Sequence, residues 1–271
     1  MLTSPSAQAC TIFVLSDAGR VLFCNNEDCN NSHTRVWFVP TGKDRLGCAY
    51  VGLRNQWAQG GMNTQGLAFD GVAGITLNGI ADAAPVTPQS KMRRVRGNPS
   101  ERMLESCRSV EEAIAFYQSH EEPTFSYATI LVADRYSAFA VIGAKGGRLH
   151  VVKGKGCAAW GWNGEIASKL ISVNSAVVIT NAAKILDAAR SQGDYATRYS
   201  NIFDLRTGEI ALFDLSKTPT ATALSLTEEL GKGRHFYDMP QIQGQLKEKP
   251  RRLSRLREWA KNLYCWFHLN R

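Results

Sequence analysis

Short apolar runs facing each other across tight turns constrain this chain more than any other feature. Thr11–Ser16 and Arg20–Asn25 are separated only by Asp17-Ala18-Gly19, a hairpin signal with glycine in the turn. Tyr127–Ile142 reads as one long strand, with Arg148–Lys153 its partner across Lys145-Gly146-Gly147. Tyr199–Leu205 and Glu209–Leu215 form another hairpin across Arg206-Thr207-Gly208. Val36–Val39, Cys48–Leu53 and Leu67–Asp70 read as further strands, the last entered through the turn-rich Gly60–Gly66. Helical spacing occurs twice. From Pro99 to about His120, Met103, Leu104, Cys107, Val110, Ala113, Ile114 and Tyr117 recur at intervals of three and four; Val177 to Arg190 is the second helix. The polar stretch from Gly74 to Pro99 reads as a long loop. Hairpins with two well-separated helices predict an α+β chain of antiparallel sheets covered by helices. A doubly wound parallel sheet would need regular strand–helix alternation.

A chain of 271 residues with 44% hydrophobic content can bury a full core. It has no run of 18 apolar residues, so no transmembrane helix is expected. The net charge of +8 is concentrated: from Leu246 to Arg271 eight Lys/Arg stand against two Glu. The body is therefore near neutral, which argues against a nucleic-acid-binding surface.

Ala7-Gln8-Ala9 has the small-x-small form that signal peptidases cut after, although Met1–Ala9 lacks the basic start and apolar stretch of a complete signal peptide. Residues 1–9 are read as a pro-segment or signal remnant. The protein is expected to be exported, periplasmic or extracellular, if the true start lies upstream, and cytoplasmic otherwise. Cutting after Ala9 would make Cys10 the first residue, with a thiol and a free α-amine together. That amine can take the proton of its own thiol. The alternative is that Cys10 is a small apolar residue starting a strand. Seven cysteines leave at least one thiol free, and their pattern is not that of a disulfide scaffold. Cys24, Cys29 and His33 have no second Cys/His cluster to complete a zinc tetrahedron, so no metal is expected.

Three segments combine into a stronger signal: Cys10-Thr11-Ile12-Phe13, Val21-Leu22-Phe23-Cys24-Asn25-Asn26-Glu27-Asp28, and Gln59-Gly60-Gly61-Met62-Asn63-Thr64-Gln65-Gly66-Leu67-Ala68-Phe69-Asp70. In this order and spacing they resemble the linear-amide hydrolases of the choloylglycine hydrolase and penicillin V acylase group, and Tyr199–Leu205 resembles a later segment of it. The resemblance implies the four-layer αββα fold of N-terminal-nucleophile hydrolases, autoprocessing, a small-molecule amide substrate and no cofactor, over residues 10–245. It puts Cys10 in the nucleophile position and Asp28 where the family's aspartate contacts the nucleophile's amine and thiol. The alternative for Asp28 is a turn or cap residue. Asn25 stands where bile-salt hydrolases carry an arginine. A neutral amide cannot lower the thiol pKa as a cation would, but it can hydrogen-bond a substrate carbonyl. Asn163 falls at the place of the oxyanion-stabilising asparagine, without its Val-x-Thr-Asn context; Val178-Ile179-Thr180-Asn181 spells that context inside a helix. Ala73 replaces another oxyanion asparagine of some relatives. The reaction implied is hydrolysis of a non-peptide amide through an acyl-enzyme. The alternatives are acyl transfer to an amine, or a non-catalytic relative that binds a ligand.

In the tail, residues 246–271, Leu253, Leu256, Ala260, Leu263 and Phe267 recur at helical spacing among arginines and Lys261. This basic amphipathic helix either attaches to an anionic membrane surface or docks on the body with a solvated basic face.

Overall fold

The structure, a computed structural model, is described over residues 10–73, 92–173, 176–215 and 220–248, with the backbone of 251–252. Residues 1–9, most of the Gly74–Pro99 loop and the amphipathic segment beyond residue 252 lie outside the described residues. The first half of the chain forms β1 (Thr11–Ser16), β2 (Val21–Asp28), β3 (Thr34–Val39), β4 (Cys48–Leu53), β5 (Ala58–Asn63), β6 (Leu67–Ala73), α1 (Pro99–Ser106), α2 (Val110–Ser119), β7 (Ala128–Asp134) and β8 (Ala138–Lys145). The second half forms β9 (Arg148–Lys155), β10 (Ala158–Gly161), α3 (Gly164–Val173), α4 (Ile179–Ala188), β11 (Thr197–Asp204), β12 (Glu209–Asp214), β13 (Thr220–Ser225), α5 (Leu226–Gly231), β14 (His235–Asp238), α6 (Ile242–Gln245) and β15 (Arg251–Arg252).

Two antiparallel sheets result, one of six strands in the order β10-β1-β2-β11-β12-β13 and one of nine in the order β15-β14-β3-β4-β5-β6-β7-β8-β9. Their facing sides enclose a core that includes Ile12, Val14, Phe23, Phe38, Val51, Leu131 and Phe203. Helices α3 and α4 cover the outer side of the six-stranded sheet through Phe13, Leu22, Cys24, Ile185 and Leu186. Helices α1 and α2 cover the nine-stranded sheet through Met103, Leu104, Ile114, Leu67 and Ile130. Layers therefore run helix, sheet, sheet, helix, the αββα sandwich implied by the resemblance. Each large side chain buried in these layers stabilises by about 1.5–3 kcal/mol.

Three local readings are corrected. The helical pattern from Pro99 to His120 is two helices: Asn98 caps α1 by accepting from Ser100 and Glu101 N–H, and Ser109 starts α2 afresh by accepting from Glu112 N–H. Glu112 in turn accepts from Arg108 N–H at 2.7 Å, so the start of α2 is held by two side chains. The apolar periodicity runs through the break because both helices lie on the same sheet. Tyr127–Ile142 is a hairpin, β7–β8, whose turn is built by Asp134 accepting from Tyr136 and Ala138 N–H. The glycines at 60 and 61 lie within β5 rather than in a turn. At Gly60 a Cβ would overlap the Asp70 carboxyl, so glycine serves close approach there. Helix α3 was not anticipated at all.

Candidate active site

Strand register assembles the site. Thr11 pairs with Asn26 on one side and Gly161 on the other, which sets Cys10 beside Glu27; Glu27 pairs in turn with Tyr199 of β11. The pleat turns Cys10, Asn25, Glu27, Tyr199 and Asn201 toward the opposite sheet, from which Asp70 of β6 projects. Cys10 opens onto a cavity of about 280 Å³, lined on its own sheet by Glu27, Asp28 and Cys29 and on the other by Leu53, Trp57, Phe69, Ala73 and Ile130. The Cys10 backbone is fixed by Trp162 N–H, which donates to its carbonyl at 3.2 Å. Gly161 makes this approach feasible: its φ is +110°, and a Cβ would overlap the Cys10 carbonyl oxygen.

Asp28 lies on the helix side of the same strand. Its carboxylate accepts from the Ser191 and Thr197 hydroxyls, each at 2.6 Å. It shares the cavity with Cys10 and is one of the acids that act on the thiol. Asn163 belongs to the same cluster. Its backbone N–H donates to Thr11 Oγ1 at 3.1 Å, and its Nδ2 donates to the Ala189 carbonyl at 3.1 Å and reaches Ser191 Oγ at 3.4 Å. Asn181, the other asparagine considered, sits on α4 and donates to the Ala176 carbonyl. Asn25 is fully buried beside Glu27, and neither its Nδ2 nor its Oδ1 has a partner in hydrogen-bond geometry. The structure thus brings Cys10, Asp28 and Asn163 to one corner and puts Asn25 on the inward face of the adjoining strand.

The electrostatics are set by acids. Burial, then the Glu27, Asp70 and Asp28 carboxyls, raise the Cys10 thiol well above its ordinary range; the Asp28 N–H opposes them. Burial and the Asp28 charge push Glu27 up to about 7, while the Tyr199 hydroxyl, donating at 3.4 Å, pulls it back. Asp28 is raised to about 6 by burial against the pull of its two hydroxyl donors. Asp70 is raised well above the carboxylate range by burial and by Glu27, and its Oδ2 has no hydrogen-bond partner. Burial raises Glu122 as well.

These shifts make stability depend on pH. An acid raised in the folded state holds its proton after the unfolded chain has released it, so stability is greatest at low pH and falls as pH rises through the folded value. Asp17 and Glu229 are shifted down and have finished titrating by about pH 5. Between pH 5 and 7.5 the raised groups Glu27, Asp28, Asp70 and Glu122 therefore dominate, all with the same sign. A loss of a few kcal/mol is expected, read as a Tm about 5–10 °C lower at pH 7.5 than at pH 5. A Tm that is level or rises across that range would contradict the buried acids.

Glu27 and Asp70 stand inside two of the recognised segments but were given no role from sequence. The missing signal was strand alternation: residues 25 and 27 share a face, and residue 28 turns away. Among the described residues no His/Cys/Asp/Glu group has metal-site geometry, and no helix is long and apolar enough to cross a membrane. No protein-family profile matches the sequence, and no curated protein does. Solved structures do. Penicillin V acylase from Agrobacterium tumefaciens superposes with a TM-score of 0.66 at 13% identity, over 84% of this chain and 90% of that one. A conjugated bile acid hydrolase from Clostridium perfringens superposes with a TM-score of 0.68 at 12% identity, over 85% of this chain and 96% of that one. At this identity the likeness is one of fold, and the chain has the N-terminal-nucleophile hydrolase fold.

Proposed function

We propose that the protein is an N-terminal-cysteine amidase that hydrolyses a non-peptide linear amide through an acyl-enzyme. The observation that carries this reading is the Cys10 thiol, 5% exposed, at the tip of β1 and opening on the cavity. The charged groups acting most strongly on that thiol are acids, and the position of the family's arginine holds Asn25. A thiol in such a field stays protonated. Loss of residues 1–9 would supply what the side chains do not: a basic nitrogen on the same residue, able to take the thiol proton. The thiolate then attacks the amide carbonyl, the amine leaves with that proton, and water releases the acid. Asp28, hydrogen-bonded to Ser191 and Thr197 and linked through Ser191 to Asn163, holds the end of β2 beside Cys10. Of the two candidate amides, Asn25 has an unpartnered Nδ2 but is fully buried behind the cavity wall, whereas Asn163 directs its own to Ala189 and Ser191.

The test is intact mass with N-terminal sequencing of the purified protein, followed by release of amine from a panel of acyl amides. The expected result is a chain beginning at Cys10 that releases amine and acid in equal amounts. Replacement of the acid by a new amide when an amine is added would identify acyl transfer instead. A chain that retains Met1–Ala9 and releases no amine would overturn the reading.

A further inference from the structure

Cys10, Glu27 and Tyr199 form one row across three adjacent strands, β1, β2 and β11, on the face turned to the other sheet. Register sets the Cys10 side chain next to Glu27 on one side, and Tyr199 donates to Glu27 Oε2 at 3.4 Å from the other. Both Cys10 and Glu27 line the cavity. Asp70, fully buried, faces this row from β6, its Oδ2 seated over Gly60, where any side chain would displace it. The groups around Glu27 are therefore Cys10 from β1, Asn25 and Asp28 from β2, Tyr199 and Asn201 from β11, and Asp70 from the facing sheet, with Cys29 just beyond Asp28. Two carboxyls so enclosed do not both ionise; Glu27 has the Tyr199 hydroxyl to support a charge, whereas Asp70 Oδ2 has no donor, so Asp70 is the one that keeps its proton.

We infer that Glu27 is a catalytic proton acceptor for the Cys10 thiol, acting alongside the main-chain amine and available even while residues 1–9 are attached. In that step the S–H proton passes to a Glu27 oxygen as sulfur bonds to the carbonyl carbon. The same proton is delivered to the departing nitrogen as the carbon–nitrogen bond breaks, leaving a thioester and an ionised Glu27. Glu27 titrates near neutral pH, where such an exchange is most effective. Asp70, neutral across the sheet gap, adds no charge of its own to those of Glu27 and Asp28. The inference rests on the proposed function for its use in amide hydrolysis, but its test needs no amide substrate.

The experiment is the rate of Cys10 alkylation by iodoacetamide in the full-length protein, its Glu27→Gln variant and its Asp70→Asn variant between pH 5.5 and 9. Tryptic peptides resolve it, because no Lys or Arg precedes Arg20 and the peptides 1–20 and 10–20 report the uncut and cut chains separately. The parent should show a rise in rate near pH 7 leading to a plateau. Glu27→Gln should abolish that plateau and slow alkylation at pH 7.5 by about tenfold or more. Asp70→Asn, which keeps a neutral group of the same shape, should stay within about twofold of the parent. A Glu27→Gln rate equal to or above the parent's would overturn the inference, because a purely electrostatic carboxylate suppresses thiolate and its removal speeds the reaction. Equal losses in both variants would overturn it too, by pointing to disturbed packing. Absence of amine release with this pattern intact would count against the amidase reading alone.

Discussion

Replacing Cys10 by alanine is expected to abolish amide hydrolysis, lowering kcat/KM by about 10⁴-fold or more, while the protein still folds. The size of the effect follows from the chemistry: with sulfur gone, no acyl-enzyme can form, and the binding walls accelerate little by themselves. Folding is spared because the side chain faces the cavity rather than the packed core, and the strand behind it is held by Ile12, Val14 and the β1–β2 ladder. Cys107→Ala is the matched control. It removes a thiol of similar burial from the layer between α1 and the nine-stranded sheet, on the far side of that sheet from the Cys10 face. Activity there should remain within about twofold, with a stability loss of about 1 kcal/mol. Parent-level turnover in Cys10→Ala would remove sulfur from the mechanism altogether.

Gly161→Ala should be nearly as damaging by a different route. Its backbone has φ +110°, and an added methyl would overlap the Cys10 carbonyl oxygen and crowd Thr11 Cα at 2.8 Å. Neither neighbour is a flexible side-chain tip, so β1 and β10 must move apart. Strain and displacement together should cost about 2–5 kcal/mol. Because the displaced atom belongs to the nucleophile's own residue, turnover should fall by about 10²-fold even in the fraction that folds. Gly193→Ala separates the two effects: it also has positive φ, +79°, but meets nothing within 4 Å. It should lose about 1 kcal/mol and keep its turnover. Similar turnover in the two alanine variants would show that β10 does not position Cys10.

Much of this arrangement was readable from residues alone, and the failures have physical causes. β1 and β2 were placed closely because Asp17-Ala18-Gly19 is turn chemistry that sequence displays: Asp17 Oδ1 accepts from Gly19 and Arg20 N–H, each at 2.7 Å. The β7–β8 turn went unseen because Arg135-Tyr136-Ser137 contains neither glycine nor proline. It is made by the Asp134 side chain and by Ser137, which adopts φ +68°. The recognised motif located the Cys10 corner, yet it treated Asn25-Asn26-Glu27-Asp28 as a string. In a strand those four side chains divide between two surfaces, and only the fold says which surface holds the thiol. Asn63, prominent in the glycine-rich segment, is scaffold: its Nδ2 donates to the Leu104 and Cys107 carbonyls, and its Oδ1 accepts from Gln65 and Leu67 N–H.

The cavity draws its two sides from different sheets. The sulfur and the lining acids Glu27 and Asp28 come from β1 and β2, whereas Leu53, Trp57, Phe69, Ala73 and Ile130 come from β4, the segment entering β5, β6 and β7. A change of shape at Trp57 or Ile130 therefore leaves the reacting corner untouched. Divergence or engineering can retune the shape of that cavity by editing one half of the sandwich, with the half that carries Cys10 inherited whole.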